Sequence, residues 1–294
     1  MSSHQPQTRS RAEALRLVSA SSLEPGELVR VFNLGFSDYL VALQLDESEL
    51  ADHIANNDID LGCSQVAVDV EPVGFALVGR RGTEAWIGGM GTSPAHRRIG
   101  LGARTLTAAI DAAAVTGVEA VWLEVLTENA PAIALYERLG FEPVRDVEIW
   151  SLAPDPDRAP VESRGLDVDA AHAWIAGHRP SREPWQRADT SIVRMRERGT
   201  PLSGVAIQRG DAIAGAAICR IDGGVVRVLQ IGAVDRTAAR DVVVAAAGDL
   251  TLRLANVPSD DMFAGVLRKL GAGLTVAQRE MRLGLSEVPL AERL

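Results

Sequence analysis

The sequence predicts two tandem α/β domains, each a sheet flanked by helices, with the chemistry concentrated in the first. Three observations predict this. Strand-like and helix-like segments alternate through the first half of the 294 residues. The second half repeats the same element order. A proline-rich, apolar-poor stretch lies between them, carrying Pro154, Pro156 and Pro160. The expected division is a domain over residues 1–152, a linker over 153–164 and a domain over 165–294. Each half is long enough to bury a core of its own.

In the first half, residues 14–18 read as a short strand. Residues 25–39 place Leu28, Val31, Phe32 and Gly35 on one helical face. Asp46, Glu47 and Ser48 open a second helix running to residue 56, their negative charge suited to the positive end of the helix dipole. Strands are expected at 63–70, 72–79 and 84–92, with Arg80, Arg81 and Gly82 turning between the last two. A helix over 100–115 ends near Gly117. A strand over 119–126 and a helix over 130–139, stopped by Gly140, lead to strand-like residues up to 152.

In the second half, helices are expected at 170–175 and 185–198. Three strands follow at 204–208, 212–221 and 225–234. A helix over 237–247, a strand at 250–254, a helix over 260–270 and a strand near 276–283 complete it. Leu139-Gly140 and Leu270-Gly271 close the penultimate helix of each half, and Glu148-Ile149 and Glu280-Met281 sit in each final strand. This long-period self-similarity points to an internal duplication.

Composition excludes several classes of function. A net charge of −9 argues against nucleic acid and against an anionic membrane as partners, and favours a cationic substrate such as an amine. Residues 1–11 lack the apolar core of a secretory signal, and no apolar run approaches the ~20 residues of a membrane span, so a cytoplasmic protein is expected. Cys63 and Cys219 are expected to be buried free thiols. The five histidines lack metal-ligand spacing, and no metal is expected.

The strongest signal is the run Thr92-Ser93-Pro94-Ala95-His96-Arg97-Arg98-Ile99-Gly100-Leu101-Gly102-Ala103, which follows a strand and opens a helix. Its glycines let backbone approach a ligand closely. The free N–H groups of a first helical turn converge on one spot, where the helix dipole favours an anion. Such a loop cradles a pyrophosphate. It is not a Walker A loop, because no Gly-Lys-Ser/Thr follows.

Arg97-x-x-Gly100-x-Gly102 resembles the acyl-CoA signature of the GCN5-related N-acetyltransferases (GNAT). Residues 121–141, VWLEVLTENAPAIALYERLGF, resemble the second signature of that superfamily and are especially close to the ribosomal-protein alanine N-acetyltransferases. The resemblance spans the first half. It implies a mixed, mostly antiparallel twisted sheet in each domain and acetyl-CoA as cosubstrate. It implies that the fourth strand parts from the fifth to admit the pantetheine arm, with Met90, Gly91 and Thr92 at that strand end. Backbone from Arg98 through Ile99, Gly100, Leu101 and Gly102 to Ala103, with Arg97, would hold the pyrophosphate. Asn129 would bond the arm, although it also stands where a helix N-cap belongs. Tyr136 matches the general acid that protonates the leaving thiolate, although it also belongs to an apolar helix stripe. Glu124 is the base candidate: its separation from Tyr136, 136 − 124 = 12, matches that of the alanine acetyltransferases.

Acceptor contacts are expected from Phe36, Asp38 and Tyr39, with Trp86 as a wall or, equally, a core residue. Asp38 or Asp46 could hold a cationic amine, with helix capping as the plainer role for either. In the second half, Val234-Asp235-Arg236-Thr237-Ala238-Ala239-Arg240 stands where the glycine loop should be, and Leu267 where Tyr136 should be. This half therefore looks like a degenerate copy that braces the first, shapes its cleft or supports a homodimer. The expected function is N-acetylation of a small-molecule or peptide amine by direct transfer in a ternary complex. The alternative is an acyl-CoA-binding or interaction module without turnover.

Overall fold

The computed structural model describes residues 12–39 and 43–285. Two compact units emerge. One is formed by the chain up to Val144 together with the residues from Glu280 onward; the other is Arg145–Arg279.

The first unit runs β1 (Arg16–Ser19), α1 (Pro25–Gly35), α2 (Glu47–Asn56), β2 (Gln65–Val68), β3 (Pro72–Arg81), β4 (Glu84–Thr92), α3 (Leu101–Ala114), β5 (Ala120–Leu126) and α4 (Ala130–Arg138), and enters β6 (Glu142–Leu152). Strands β1 to β4 pair antiparallel in sequence order, and β4 pairs parallel with β5. The first helix ends at Gly35, four residues short of the expected end. Gly35 lies against the backbone of Gly91, where an added Cβ would come within 2.9 Å of the Gly91 Cα. The chain then leaves the helix through Phe36 toward Tyr39, whose N–H donates to the Phe36 carbonyl. Asp46 caps α2 in a reciprocal pair with Glu49, so the plainer role holds for Asp46.

The second unit continues with β7 (Arg164–Leu166), α5 (Val168–Ala176), α6 (Asp189–Glu197), β8 (Ser203–Arg209), β9 (Ala212–Asp222), β10 (Val225–Ala233), α7 (Arg236–Ala247), β11 (Thr251–Pro258) and α8 (Met262–Lys269), and enters β12 (Gly273–Gly284). Its pairings repeat those of the first: β7 to β10 antiparallel in order, then β10 with β11 parallel. The duplication is thus present in pairing as well as in element order. Segment 185–198 is not one helix. Ala188 is extended, separating a 3₁₀ turn, Trp185–Arg187, from α6.

The units do not divide in the proline segment expected as a linker. The division falls within β6, after Val144, and within β12, after Arg279. From Val147 to Leu152, β6 pairs with β11 of the second unit. In the first unit, Met281 and Leu283 join the core that holds Tyr136, Leu139 and Phe141. Proline marks where the chain leaves regular structure. Which core an apolar strand enters is a tertiary choice that composition does not encode.

Candidate functional site

The site lies where β4 and β5 part. Their pairing runs Glu84↔Ala120, Ala85↔Val121, Trp86↔Trp122 and then stops. The break coincides with an irregularity in β4. Leu77 pairs with Gly89 and Val78 with Ile87, leaving Gly88 as an extra residue. The bulge resets the alternation of side chains. Gly89 and Gly91 face α1 and β3, where added Cβ atoms would meet Phe32 and Phe75, and Gly35 and Phe75, respectively. Met90 and Thr92 face α3 and α4, where they are the nearest neighbours of Gly102.

The β4 glycines therefore make room for the α1 helix and the Phe75 ring, and that packing accounts for Gly91. The loop glycines differ. Gly100 has φ +88° with open space around it, so its requirement is conformational. Gly102 sits inside the first turn of α3, and a Cβ there would lie 3.1 Å from Met90 Cε and 3.4 Å from Thr92 Oγ1. Arg98 is also left-handed, at φ 63°. The side chains of Ile99 and Leu101 pack into a small core with Leu15, Ala67 and Val73, so what the loop offers outward is backbone. The amides of Leu101, Gly102 and Ala103 belong to a helical first turn, which has no intrahelical acceptors to give them. A cradle of this kind fits a pyrophosphate, and the lapse in strand pairing fits a pantetheine arm.

Arg97 is anchored beside the cradle. Its guanidinium grips Asp38 with Nη1 and Nη2 at 2.7 and 2.6 Å, and its Nε donates to the Thr92 carbonyl at 3.0 Å. The hydrogen bond from Arg97 holds the exposed Asp38 carboxyl below its ordinary value. Asp38, read from sequence as an acceptor contact, thus pairs with a candidate phosphate-side arginine.

Tyr136 and Asn129 converge with Tyr39. The Tyr136 hydroxyl is directed at Met90 Sδ, 3.7 Å away, and its ring meets Phe141 edge-on at 5.8 Å. Burial, reinforced by the nearby Tyr39, pushes the Tyr136 phenol far above its usual value. It therefore carries its proton throughout the neutral range. Asn129 caps α4 through Ala132 N–H, 3.3 Å away, and its side chain also bonds Tyr39. Cap and contact coexist in one residue. Tyr39 stacks edge-on against Phe36, which packs on Phe32.

Glu124 lies on the opposite face of the parted strands. Registered with Trp86↔Trp122, its side chain shares the face of Trp86, toward α1 and α2, while its neighbours Leu123 and Val125 enter the core with Tyr136. Trp86 Nε1 donates to Glu124 Oε2 at 2.6 Å. Sequence reading missed His53, whose Nε2 sits 2.7 Å from the carbonyl of the bulge residue Gly88. A histidine in the last turn of an amphipathic helix carries no signal of such a role.

The second unit preserves the scaffold and closes it. Pairing of β10 with β11 ends at Val228↔Leu254, and β10 carries the same irregularity, with Leu229 skipped. Into that parting goes Arg187, which sequence reading also missed. Its Nε donates to Leu229 O at 3.1 Å, and its Nη1 to Ala255 O at 3.0 Å and Asn256 O at 3.4 Å. Arg187 and its ion partner Glu183 are 7% and 8% exposed. The remaining space there is lined in part by Glu183 and Asp261, two carboxylates that would repel a phosphate. At the helix start, Asp235 accepts from Ala238 N–H at 2.8 Å and is gripped by Arg209 at 2.6 and 3.0 Å. The bond to Arg209 holds the Asp235 carboxyl far below its usual range. Leu267, in the place of Tyr136, is wholly buried. Among the described residues, no cluster of histidine, cysteine and carboxylate side chains is arranged to hold a metal ion, and no helix is long and apolar enough to cross a membrane. Cys63 and Cys219 are buried free thiols, with Cys219 pushed up to about 12 by burial.

Residues 28–141 match the model of the acetyltransferase (GNAT) family. The [ribosomal protein bS18]-alanine N-acetyltransferase of Escherichia coli K12 is 47% identical over 58 residues, which are 20% of this chain and 39% of that protein. A mycothiol acetyltransferase of Clavibacter michiganensis is 29% identical over 129 residues, 43% of this chain and 42% of that protein. The matched stretches thus span about two fifths of these two relatives. Among solved structures, a tandem GNAT protein from the clavulanic acid biosynthesis pathway shares 13% identity at TM-score 0.64, covering 93% of this chain and 99% of that one. A GCN5-related N-acetyltransferase of Sphaerobacter thermophilus shares 16% at TM-score 0.68, covering 92% and 95%. These structural likenesses establish the fold.

Proposed function

We propose that this chain, whose residues 28–141 match the model of the acetyltransferase (GNAT) family, transfers an acetyl group from acetyl-CoA to an amine of a small molecule or peptide, using one site, in the first unit. The observation that carries this reading is the placement of Tyr136 and Glu124 on opposite faces of the parted strands β4 and β5, beside the Gly100 and Gly102 cradle. Similarity to a [ribosomal protein bS18]-alanine N-acetyltransferase and to a streptothricin acetyltransferase supports the reaction type.

The residues present fit acetyl-CoA. The amides of Leu101, Gly102 and Ala103 would hold its pyrophosphate, backbone at Met90 to Thr92 its pantetheine arm, and Asn129 would steady that arm. Bound there, acetyl-CoA supplies an activated thioester carbonyl. The chain's own task is to move two protons. An ammonium cannot attack, so Glu124 accepts a proton from the acceptor nitrogen, directly or through water. As the C–N bond forms and the C–S bond breaks, the nitrogen releases its second proton to water and Tyr136 Oη gives its own proton to the departing sulfur. Burial keeps that proton in place until it is needed. A thiol leaves, the amide forms, and both side chains return to their starting states by exchange with water.

The test is release of CoA thiol from acetyl-CoA by the full chain across a panel of amines that includes an alanine-terminated peptide. Amine-dependent thiol release with a mass gain of one acetyl group on the acceptor is expected. Acetyl-CoA binding with no acceptor turned over across the panel would favour the binding-module reading.

A further inference from the structure

Trp86 reads from sequence as a wall for the acceptor or, equally, a core residue, and its surroundings give it a further task. The ring is 2% exposed, too enclosed to line a substrate cleft broadly. Its single polar atom is spent on Glu124, at 2.6 Å. The ring is confined on two sides. At Gly88 any Cβ would come within 2.7 Å of it, so the bulge is shaped around the indole. The His53 imidazole lies 5.9 Å from it, centroid to centroid, tilted by 59°.

His53 is itself fixed at both nitrogens. A carbonyl only accepts, so Nε2, 2.7 Å from Gly88 O, carries the hydrogen. Nδ1 then accepts from Asn57 Nδ2, 3.3 Å away, and the same amide donates to the His53 carbonyl at 3.0 Å. Burial holds the imidazole in this neutral form. Asn57, His53, the Gly88 carbonyl and the Trp86 indole thus form a continuous path from α2 through the bulge to the carboxylate.

We propose that Trp86 and His53 are positioning residues for Glu124: His53 fixes the bulge and confines the indole, and Trp86 donates its N–H to hold the carboxylate toward the parted strands. The proposal rests on the reading of Glu124 as proton acceptor. Titratable or charged groups on this face include Glu84 on β4, His53 on α2, and Arg282 with the buried Glu280 on β12, both of which alternate with the core residues Met281 and Leu283. Glu84 takes the Trp122 N–H at 3.0 Å, and Arg282 lies 5.6 Å over the Trp122 ring.

An N–H donor favours the charged carboxylate. Removing it in Trp86→Phe, which keeps an aromatic ring, moves the acid limb of the rate profile to higher pH by roughly one unit, the shift expected for losing one hydrogen bond to a charged group. In a Glu124→Gln background the same substitution produces no shift. A measurement independent of any acceptor uses the full chain labelled with ¹⁵N at its five tryptophan indoles. The Trp86 signal, identified by its loss in Trp86→Phe, is expected to move with pH and to become pH-independent in Glu124→Gln. His53→Leu is expected to lower kcat with the KM for acetyl-CoA unchanged, and His53→Gln, which retains a donor, to restore much of it. A Trp86 indole signal insensitive to Glu124→Gln, with Trp86→Phe leaving the acid limb in place, would overturn the proposal while leaving Glu124 as base. Full activity of Glu124→Gln at every pH would instead remove the base, and this proposal with it.

Discussion

Replacing Tyr136 by phenylalanine deletes one oxygen from a group that the structure isolates. The ring packs among Leu123, Val125, Leu139 and Phe141, all of which a phenylalanine can still touch. Among the described residues the lost hydroxyl bonds Met90 Sδ, at 3.7 Å. Sulfur is a weak acceptor, so folding should lose less than ~1 kcal/mol. The rate should lose far more. With no phenol beside the leaving sulfur, kcat should fall by about 10²-fold, the low end of what a general acid contributes, or ~2.7 kcal/mol of barrier. Acetyl-CoA affinity should change little, because the lost proton transfer belongs to the transition state. The assay is single-turnover thiol release, with calorimetric binding of acetyl-CoA alongside it. Unchanged single-turnover rates, with chemistry limiting, would refute Tyr136 as acid.

Gly102→Val fills the space beside Met90 and Thr92 and screens the first-turn amides. Acetyl-CoA affinity should fall by about 100-fold or more, equivalent to losing one or two bonds to a charged group, while circular dichroism stays native. Leu283→Ala should destabilise the core around Tyr136 by ~2–5 kcal/mol in denaturant melts, and a fragment ending at residue 152, which lacks Met281 and Leu283 altogether, should fail to give a cooperative melt. His53 supplies a pH dependence. Burial lowers its folded pKa below the ordinary ~6.5, so below that value the unfolded chain binds a proton that the folded chain refuses. Stability should therefore fall as pH drops from ~6.5 toward the folded pKa, and His53→Gln should lack that slope.

Much of the fold was legible because local rules and tertiary structure agree. The alternation of strands and helices, the glycine stops at Gly140 and Gly271, and the repeated endings all reappear as pairings. The loop from Arg97 to Ala103 was legible for the same reason: a left-handed Gly100 and an unobstructed first turn are local properties. Asn129 and Tyr136 came with the motif, and the structure brings them to Tyr39. What escaped were tertiary facts. Gly88 stands as the extra residue of a bulge and Gly91 admits Gly35 of α1, packing that a run of glycines in a strand does not specify. Trp86 read equally as a substrate wall and as a core residue; it is buried, and its indole N–H goes to Glu124. Arg187 drew no reading, because nothing near it in sequence reveals the carbonyls of Leu229 and Ala255 that it joins. The first unit leaves β6 at Val144, eight residues before 152 (152 − 144 = 8), and takes up β12 from Glu280, since these strands keep the same alternation whichever core they enter.

Everything turns on one acetyl-CoA site per chain, in the first unit. Isothermal titration of the full chain with acetyl-CoA tests this most directly, run in parallel on Gly102→Val and on Asp235→Asn. Saturation at one equivalent is expected for the unmodified chain and for Asp235→Asn, and near-complete loss of binding for Gly102→Val. Two equivalents, or one equivalent that survives Gly102→Val unchanged, would contradict the account.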